Sequence, residues 1–440
     1  MVSKPSKVRP RPALAVGAIV LGFCLAAHAA PKYKLLHSFN GSDGAGPYGG
    51  VTMDQKGNLY GTTAGGGPCG TVFELSPQKT GQWKETVLHQ FASSDDGCDP
   101  QSNVILDASG NLYGTTAKGG SGTYHPGTVF ELEPGSRDWT EKVLFDFDFS
   151  DGADPTAGLV MDGAGNLYGT TPGGGVNQGG VAFELAPGSG SWSETVLNSF
   201  YYSYYNQPAP GGSDPDAGLI LDASGNLYGT TSFGGTGCSG EGCGTVYELT
   251  PESGGGWKET ILHRFDNGTD GVEPGGGALF MDPSGNLYGT TEGGGASTGC
   301  AGVAGREDWL EPRRPTGDGN CGTVFKLARN TEGRWKETIL YSFAPGAGGY
   351  RPGAGVVMDK SGNLYGTTDG GGGPSGCGVI YELAPKPKGK WAYTVLHTFG
   401  TGYDGCVPAG NLVLDSKGNL YGGTILGGTA GQGTVFEITP

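Results

Sequence analysis

Residues 54–63 read Asp-Gln-Lys-Gly-Asn-Leu-Tyr-Gly-Thr-Thr, and this stretch decides the fold because it recurs. The string Asp-x-x-Gly-Asn-Leu-Tyr-Gly begins at seven positions, which are Asp54, Asp107, Asp162, Asp222, Asp282, Asp359 and Asp415. Each copy holds four strand-like runs separated by turn residues, which in the second copy span 83–91, 104–106, 111–116 and 127–132. Repeats of this length with four short strands fit propeller blades better than solenoid rungs.

The two ends of the chain indicate how the ring closes. Six outer-strand runs begin with tryptophan, and a seventh related run, residues 33–39, stands near the N-terminus. The last repeat ends with the run 434–438 and has no outer strand after it. Because closure removes exposed sheet edges, we predict that the N-terminal strand completes the C-terminal blade. The prediction is an all-β protein, a single seven-bladed β-propeller with four-stranded blades. The repeats span roughly residues 31–82, 83–138, 139–191, 192–256, 257–334, 335–390 and 391–440.

Residues 1–29 have the pattern of a secretory signal peptide. A basic stretch precedes the apolar run 13–26, and Ala27-His28-Ala29 places small residues at the positions that a signal peptidase requires. We therefore expect a mature propeller over residues 30–440 that is periplasmic, secreted or on the cell surface. No later run is apolar enough to span a membrane, so we expect no membrane insertion after cleavage.

The charge balance narrows the choice of partner. The chain has 43 acidic and 27 basic residues, a net charge of −16. Nucleic acids and anionic membrane surfaces select clusters of lysine and arginine, so neither is an expected partner.

The full repeat resembles a known family. Its pattern is Trp-x-Glu-Thr-Val-Leu-His-x-Phe, Asp-Gly-x-x-Pro, Asp-x-x-Gly-Asn-Leu-Tyr-Gly-Thr-Thr and Gly-Thr-Val-Phe-Glu-Leu, and it resembles the GloVer tandem repeat of exported bacterial proteins. The resemblance covers nearly the whole mature chain. It implies an exported, propeller-like repeat protein and implies no catalytic residues. Members often end in a surface-sorting anchor, but this sequence stops at Pro440, directly after its last strand, so we do not expect anchoring by that route.

Eight cysteines follow the signal segment, an even number that suits an oxidising compartment. Four of them share one repeat position before the third strand, and two share the loop before the innermost strand. In a propeller these loops lie on one face, so two pairs bridge there. The other two cysteines of the first position, Cys243 and Cys321, each have a local partner. The predicted disulfides are Cys69–Cys98, Cys238–Cys243, Cys300–Cys321 and Cys377–Cys406. The alternative, zinc, is disfavoured because no Cys-x-x-Cys with paired histidines is present.

Two carboxylate-bearing loops recur and admit a metal interpretation. The Asp-x-x-Gly-Asn loop has a calcium alternative, but a tight turn is preferred, with Asp accepting backbone N–H groups and Gly-Asn adopting positive φ. The Asp-Gly-x-x-Pro loop has a metal or cationic ligand as its alternative, and solvated turn residues are preferred. Its aspartates are Asp43, Asp96, Asp151, Asp270 and Asp404.

No catalytic constellation stands out, and no cofactor or metal is predicted. One outer-strand position holds His37, His89, His263 and His397, with Phe145, Asn198 and Tyr341 in other copies. A position that accepts phenylalanine is interpreted as a packing site. The residues before the innermost strands are small and uncharged, unlike a converging set of acids and bases. They are Gly50, Asn103, Gly158, Gly218, Ala278, Gly355 and Asn411.

The repeats differ most at two loops, of blades four and five, which are either tolerated loop insertions or a candidate binding site. Aromatic and arginine side chains dominate binding hot spots, and aromatics stack on sugar rings. The candidate residues are Tyr201, Tyr202, Tyr204, Tyr205, Arg306, Trp309, Arg313 and Arg314. The favoured hypothesis is a monomeric, exported, non-enzymatic binding or structural module for a glycan or a surface protein. The alternative is a secreted polysaccharide hydrolase or lyase, which paired carboxylates at the channel mouth would favour.

Overall fold

A computed structural model describes residues 1, 30–92, 95–121, 124–204, 207–235, 241–266, 269–297, 299–300, 321–400 and 402–440. Within the unit Pro31–Pro440, seven four-stranded antiparallel sheets form a ring, which confirms the predicted propeller. The predicted signal segment lies outside the described residues.

The strands fall into four classes by their distance from the central axis. The innermost are β2 (Thr52–Met53), β6 (Ile105–Leu106), β10 (Val160–Met161), β14 (Ile220–Leu221), β18 (Phe280–Met281), β22 (Val357–Met358) and β26 (Cys406–Leu414). The second are β3 (Leu59–Thr63), β7 (Leu112–Thr116), β11 (Leu167–Thr171), β15 (Leu227–Thr231), β19 (Leu287–Thr291), β23 (Leu364–Thr368) and β27 (Leu420–Leu426). The third are β4 (Thr71–Pro77), β8 (Thr128–Pro134), β12 (Gln178–Pro187), β16 (Thr245–Pro251), β20 (Thr323–Arg329), β24 (Val379–Lys386) and β28 (Thr434–Thr439). The outermost are β1 (Lys32–Ser38), β5 (Trp83–Gln90), β9 (Trp139–Asp146), β13 (Trp192–Tyr201), β17 (Trp257–Arg264), β21 (Trp335–Ser342) and β25 (Lys390–Thr398), and a 3-10 turn, Pro387–Gly389, precedes β25.

The N-terminal strand closes the ring as predicted. Strand β1 pairs with β28 in antiparallel register, from Lys32 opposite Thr439 to Ser38 opposite Thr434. The seventh blade therefore has the order β1-β28-β27-β26. This pairing gives the last third-position strand the outer neighbour that its own repeat lacks.

The Asp-x-x-Gly-Asn stretch forms the turn between the two innermost strands of each blade. In the first copy, Asp54 Oδ1 accepts hydrogen bonds from the backbone N–H groups of Lys56 and Asn58, at 2.8 and 2.9 Å. Gly57 adopts a φ of +85°, which favours glycine. The turn hypothesis is confirmed with one correction: Asn58 does not adopt positive φ, and its side-chain amide instead donates to Asp54 Oδ2 at 2.9 Å.

Aromatic pairs join the blades. At the end of each outer strand, a buried phenylalanine packs against a ring in the third strand of the next blade, at centroid distances of 5.1 to 5.5 Å. Each such pair contributes about 0.5–1.5 kcal/mol beyond the burial of its area. The pairs are Phe39–Phe73, Phe91–Phe130, Phe147–Phe183, Phe200–Tyr247, Phe265–Phe325, Phe343–Tyr381 and Phe399–Phe436.

A β-bulge shapes each outer strand. In the first blade Val72 lies opposite His89 and Phe73 lies opposite Val87, so Leu88 has no cross-strand partner. Corresponding register shifts occur in the other six blades. Because a bulge redirects the side chains that follow it, the histidine position and the phenylalanine after it face the cleft toward the next blade.

Candidate functional site

Disulfides support the loops on one face of the ring. Three of the predicted bonds are present, which are Cys69–Cys98, Cys300–Cys321 and Cys377–Cys406, with Cα–Cα distances of 4.7, 5.3 and 4.5 Å. The first and third join a loop of one blade to the segment that enters the next. For the fourth predicted bond, Cys238 lies outside the described residues. Three disulfides indicate an oxidising compartment, periplasmic or extracellular.

The search for membrane-spanning helices concerns only the part of the chain that the structure describes. Within it, no helix has the length and apolar character needed to cross a bilayer.

A cavity of about 1150 Å³ occupies the central channel and its mouth. Its lining includes small residues expected from the sequence, which are Asn103, Gly158, Gly218, Ala278 and Asn411. Other lining residues belong to the loops that enter the innermost strands and to those that follow the second strands.

Carboxylates surround the mouth at one repeated position, directly before the proline that recurs in these loops. Four blades place an acid there, with φ between +56° and +61°; the residues are Asp99, Asp154, Asp214 and Glu273. The backbone N–H of each donates to a carbonyl of the preceding blade; that of Asp99, for example, lies 2.9 Å from the Cys69 oxygen. These inter-blade bonds hold the acids in a backbone region that non-glycine residues rarely adopt.

The lining of the mouth is strongly acidic. Besides the four repeated acids, the cavity wall includes Asp216, Glu241 and Glu292. Among the described lining residues, Lys118 is the one basic side chain, and its Nζ lies 2.9 Å from Asp99 Oδ2. Glu292, only 4% exposed, pairs with Arg351 at 3.3 Å. The potential of the mouth therefore favours neutral or cationic groups over anions.

The structure brings part of the predicted aromatic site to this cavity. Tyr202 lines the mouth, and its ring meets that of Tyr204 edge-on at 4.9 Å. Tyr201 and Tyr204 are 66% and 59% exposed. The remaining predicted residues, Tyr205, Arg306, Trp309, Arg313 and Arg314, lie outside the described residues.

A second set of polar clusters, at the blade junctions, corrects two sequence interpretations. The outer-strand histidines are not only packing residues, and the aspartates of the Asp-Gly-x-x-Pro loops are not simply solvated. Each histidine Nε2 lies 3.2 to 3.7 Å from the loop aspartate that follows it, and all these side chains are at most 23% exposed. The pairs are His37–Asp43, His89–Asp96, His263–Asp270 and His397–Asp404.

A signal for these pairs exists in the sequence. Every repeat with histidine in the outer strand also has aspartate in the following loop. The two repeats with Asn198 and Tyr341 at the histidine position have Gly211 and Gly348 at the aspartate position.

A glutamate of the next outer strand completes most of these junctions. Burial is the first cause of its raised pKa, and neighbouring aspartates add to the shift at most sites. The pKa is raised to about 7 at Glu85, Glu141, Glu194 and Glu259, and to about 8 at Glu337. The last two blades place Tyr393 and Tyr33 at the corresponding position, and Tyr33 stacks on His397 at 4.0 Å.

Several solved structures are similar to this chain, at low sequence identity. A putative 6-phosphogluconolactonase from Bacteroides uniformis is 13% identical, with a TM-score of 0.48 over 86% of this chain and 88% of that one. The extracellular domain of a putative one component system from B. thetaiotaomicron is 10% identical, with a TM-score of 0.46 over 92% of this chain and 40% of that one. A putative oxidoreductase (glucose dehydrogenase) from Thermus thermophilus is 13% identical, with a TM-score of 0.41 over 93% of this chain and 100% of that one.

No protein with a curated description matches this chain. The sequence profile of the Gloeobacter/Verrucomicrobia repeat matches residues 23–210 and 313–440, which are most of the chain. The repeat, the blade that it forms and this match together show that the chain belongs to the Gloeobacter/Verrucomicrobia repeat family.

Proposed function

We propose that the protein is an exported binding module that takes a neutral or amine-bearing glycan in the mouth of its central channel. The observation that carries this proposal is the composition of the mouth, where Tyr202 lies in one wall with carboxylates, serines and amides around it. The tyrosine belongs to the loop that enters blade four, one of the two loops at which the repeats differ most.

The chemistry of the lining suits a polyhydroxylated ligand. We call the four repeated acids of the mouth, Asp99, Asp154, Asp214 and Glu273, the rim acids. Carboxylates only accept hydrogen bonds, and sugar hydroxyls donate them, so the rim acids and a sugar are complementary. An aromatic ring supplies apolar area with little loss of conformational freedom. A uronic-acid polymer would bring more negative charge to an acidic mouth, and we expect it to be excluded.

The scaffold favours binding because it fixes the positions of the rim acids before a ligand binds. The rim acids are held by backbone hydrogen bonds between blades, such as the one from the Glu273 N–H to the Cys243 oxygen at 3.0 Å. Binding to a preorganised site avoids the entropy cost of ordering its loops.

Calorimetric titration of the tag-free mature chain tests the proposal. The ligands are cello-, xylo- and chitosan oligosaccharides, with oligogalacturonate as the anionic comparison. We expect binding of a neutral or amine-bearing oligosaccharide and none of oligogalacturonate. Tyr202→Ala should weaken binding about tenfold, since loss of an aromatic contact in such a site costs about 1–2 kcal/mol.

The matched control is Tyr403→Ala. Tyr403 lies in the corresponding loop between blades six and seven, is 70% exposed, and does not line the cavity. Equal affinities of the two variants would overturn the assignment to the mouth. Release of reducing ends from the bound oligosaccharide would identify the alternative, a hydrolase.

A further inference from the structure

The junction between blades four and five gathers three side chains with metal-ligand chemistry. His263 lies near the end of β17, Asp270 lies in the loop that follows, and Glu337 belongs to β21 of the next blade. His263 Nε2 lies 3.4 Å from Asp270 Oδ2 and 3.8 Å from Glu337 Oε2. One ligand atom from each of the three residues lies within 4.8 Å of the others.

One polar atom of each side chain is buried without a hydrogen bond. His263 Nε2, Asp270 Oδ1 and Glu337 Oε1 have no hydrogen-bond partner among the described residues. The three side chains are only 20%, 18% and 11% exposed. Buried polar groups are normally satisfied, so three such atoms at one point call for a shared ligand.

The distances of 3.4 and 3.8 Å from His263 Nε2 to the two carboxylates fit one small divalent ion. Imidazole nitrogen and carboxylate oxygen bind Zn²⁺ at about 2.0–2.2 Å, so a tetrahedral ion sets its ligand atoms about 3.4 Å apart. A set of one nitrogen and two carboxylates suits Zn²⁺ and similar first-row ions, whereas Ca²⁺ takes six to eight oxygens. We propose that His263, Asp270 and Glu337 form a binding site for a zinc-type divalent cation, with the fourth position open to water.

Sibling junctions show that the repeat alone does not create this arrangement. The junctions around His37 and His89 contain the same residue types, with Glu85 and Glu141 in the place of Glu337. Their histidines pair with aspartate at 3.2 and 3.7 Å. In the described part of the chain, however, only His263 is also within 4.0 Å of the glutamate from the next blade.

The surrounding charge supports cation binding. The negative charges of Asp270 and Asp266 both act on Glu337. Such a concentration of negative charge attracts a cation.

The test uses the mature chain with its affinity tag removed, stripped with EDTA and titrated with Zn²⁺ by calorimetry and with Co²⁺ by visible absorption. We expect one ion per chain and a cobalt absorption band. Glu337→Gln, which is nearly isosteric, should lower the affinity at least about tenfold, because even residues behind the ligands contribute 10–100-fold. The Tm of the metal-free variant verifies that it folds.

The matched control is Glu85→Gln, the same substitution at a sibling junction. It should leave the stoichiometry and the affinity unchanged. A titration without saturable Zn²⁺ binding would overturn the proposal. An equal loss of affinity in Glu337→Gln and Glu85→Gln would also overturn it, since the binding would then not belong to the blade four–five junction.

Discussion

The junction between blades four and five and the junction between blades five and six place different chemistry on the same backbone. The first holds His263, Asp270 and Glu337. At the corresponding positions of the second, Tyr341 and Tyr393 stack at 4.2 Å with ring planes 5° apart. Both outer strands carry the same bulge before these residues. The repeat therefore fixes the geometry of a junction and leaves its side-chain chemistry free.

The two junctions differ in how they contribute to stability. Stacked tyrosines gain from burial and from ring contact. A buried set of acids carries a desolvation penalty, which at Glu337 is visible as a pKa raised to about 8. Stability alone would favour aromatic residues at both junctions, so the polar blade four–five junction is better explained by a ligand than by packing.

The largest effect on unfolding free energy should come from replacing one side chain of each junction with alanine. Tyr393→Ala should lower the free energy of unfolding by about 3 kcal/mol, in the range found for buried aromatic residues. Glu337→Ala should lower it by about 1 kcal/mol or less in metal-free protein at pH 7, because its removal also relieves a desolvation penalty. Urea unfolding of both variants gives the comparison. Equal losses would show that the polar junction is as important to the fold as the aromatic one.

A smaller, pH-dependent effect on unfolding free energy is expected at the polar junction that lacks histidine. Glu194 lies at the junction that has Phe145 in the histidine position, and burial, followed by the charges of Asp151 and Asp148, raises its pKa to about 7. A raised pKa in the folded state stabilises the protein below the unfolded value near 4.5, and this stabilisation is lost as the pH rises through 7. Glutamine does not ionise, so Glu194→Gln removes this pH-dependent loss of stability. Relative to wild type, the variant should therefore gain about 1–2 kcal/mol in unfolding free energy between pH 5 and pH 8.5, allowing for partial exposure.

Urea unfolding at these two pH values measures the gain, and Glu133→Gln is the control. Glu133, in the neighbouring blade, has a side chain that is 42% exposed and pairs with Lys142. A difference between Glu194→Gln and wild type that is the same at both pH values would refute burial of the charge as the cause.

The fold was predictable because its determinants are local and repeated. The turn of Asp54 and Gly57 is encoded within four residues. Two of the observed disulfides followed from repeat positions, and the third, Cys300–Cys321, followed from a local partner. The closure by β1 was predictable because the last repeat lacks a strand that the N-terminus contains. Each of these inferences needed only the order of residues along the chain.

The junction clusters could not be predicted in the same way. His263 and Glu337 belong to different repeats, and their contact depends on the tilt of neighbouring blades and on the bulge that directs the histidine into the cleft. Comparison of the repeats suggested that residues at this position are interchangeable, because Phe145 and His263 occupy the same position in two different repeats. That substitution is tolerated by the backbone but changes the chemistry. The acidic mouth was missed because the acids lie four or five residues before the small residues that line the channel, in the same loops.

The smallest effect on stability should come from exchanging histidine and phenylalanine between the positions of His263 and Phe145. His263→Phe gives the blade four–five junction the composition of the junction between blades two and three, which already has phenylalanine beside Asp151 and Glu194. Because that backbone accommodates the ring, the free energy of unfolding of metal-free protein at pH 7 should change by less than about 1 kcal/mol, as for other tolerated volume-conserving changes. Phe145→His is the reciprocal control, and both are measured by urea unfolding. A loss above about 2 kcal/mol in His263→Phe alone would mean that the histidine holds the two blades together without any ligand. A small change in both would leave the histidine without a structural role, and the zinc titration of the same variant would then isolate its contribution to binding.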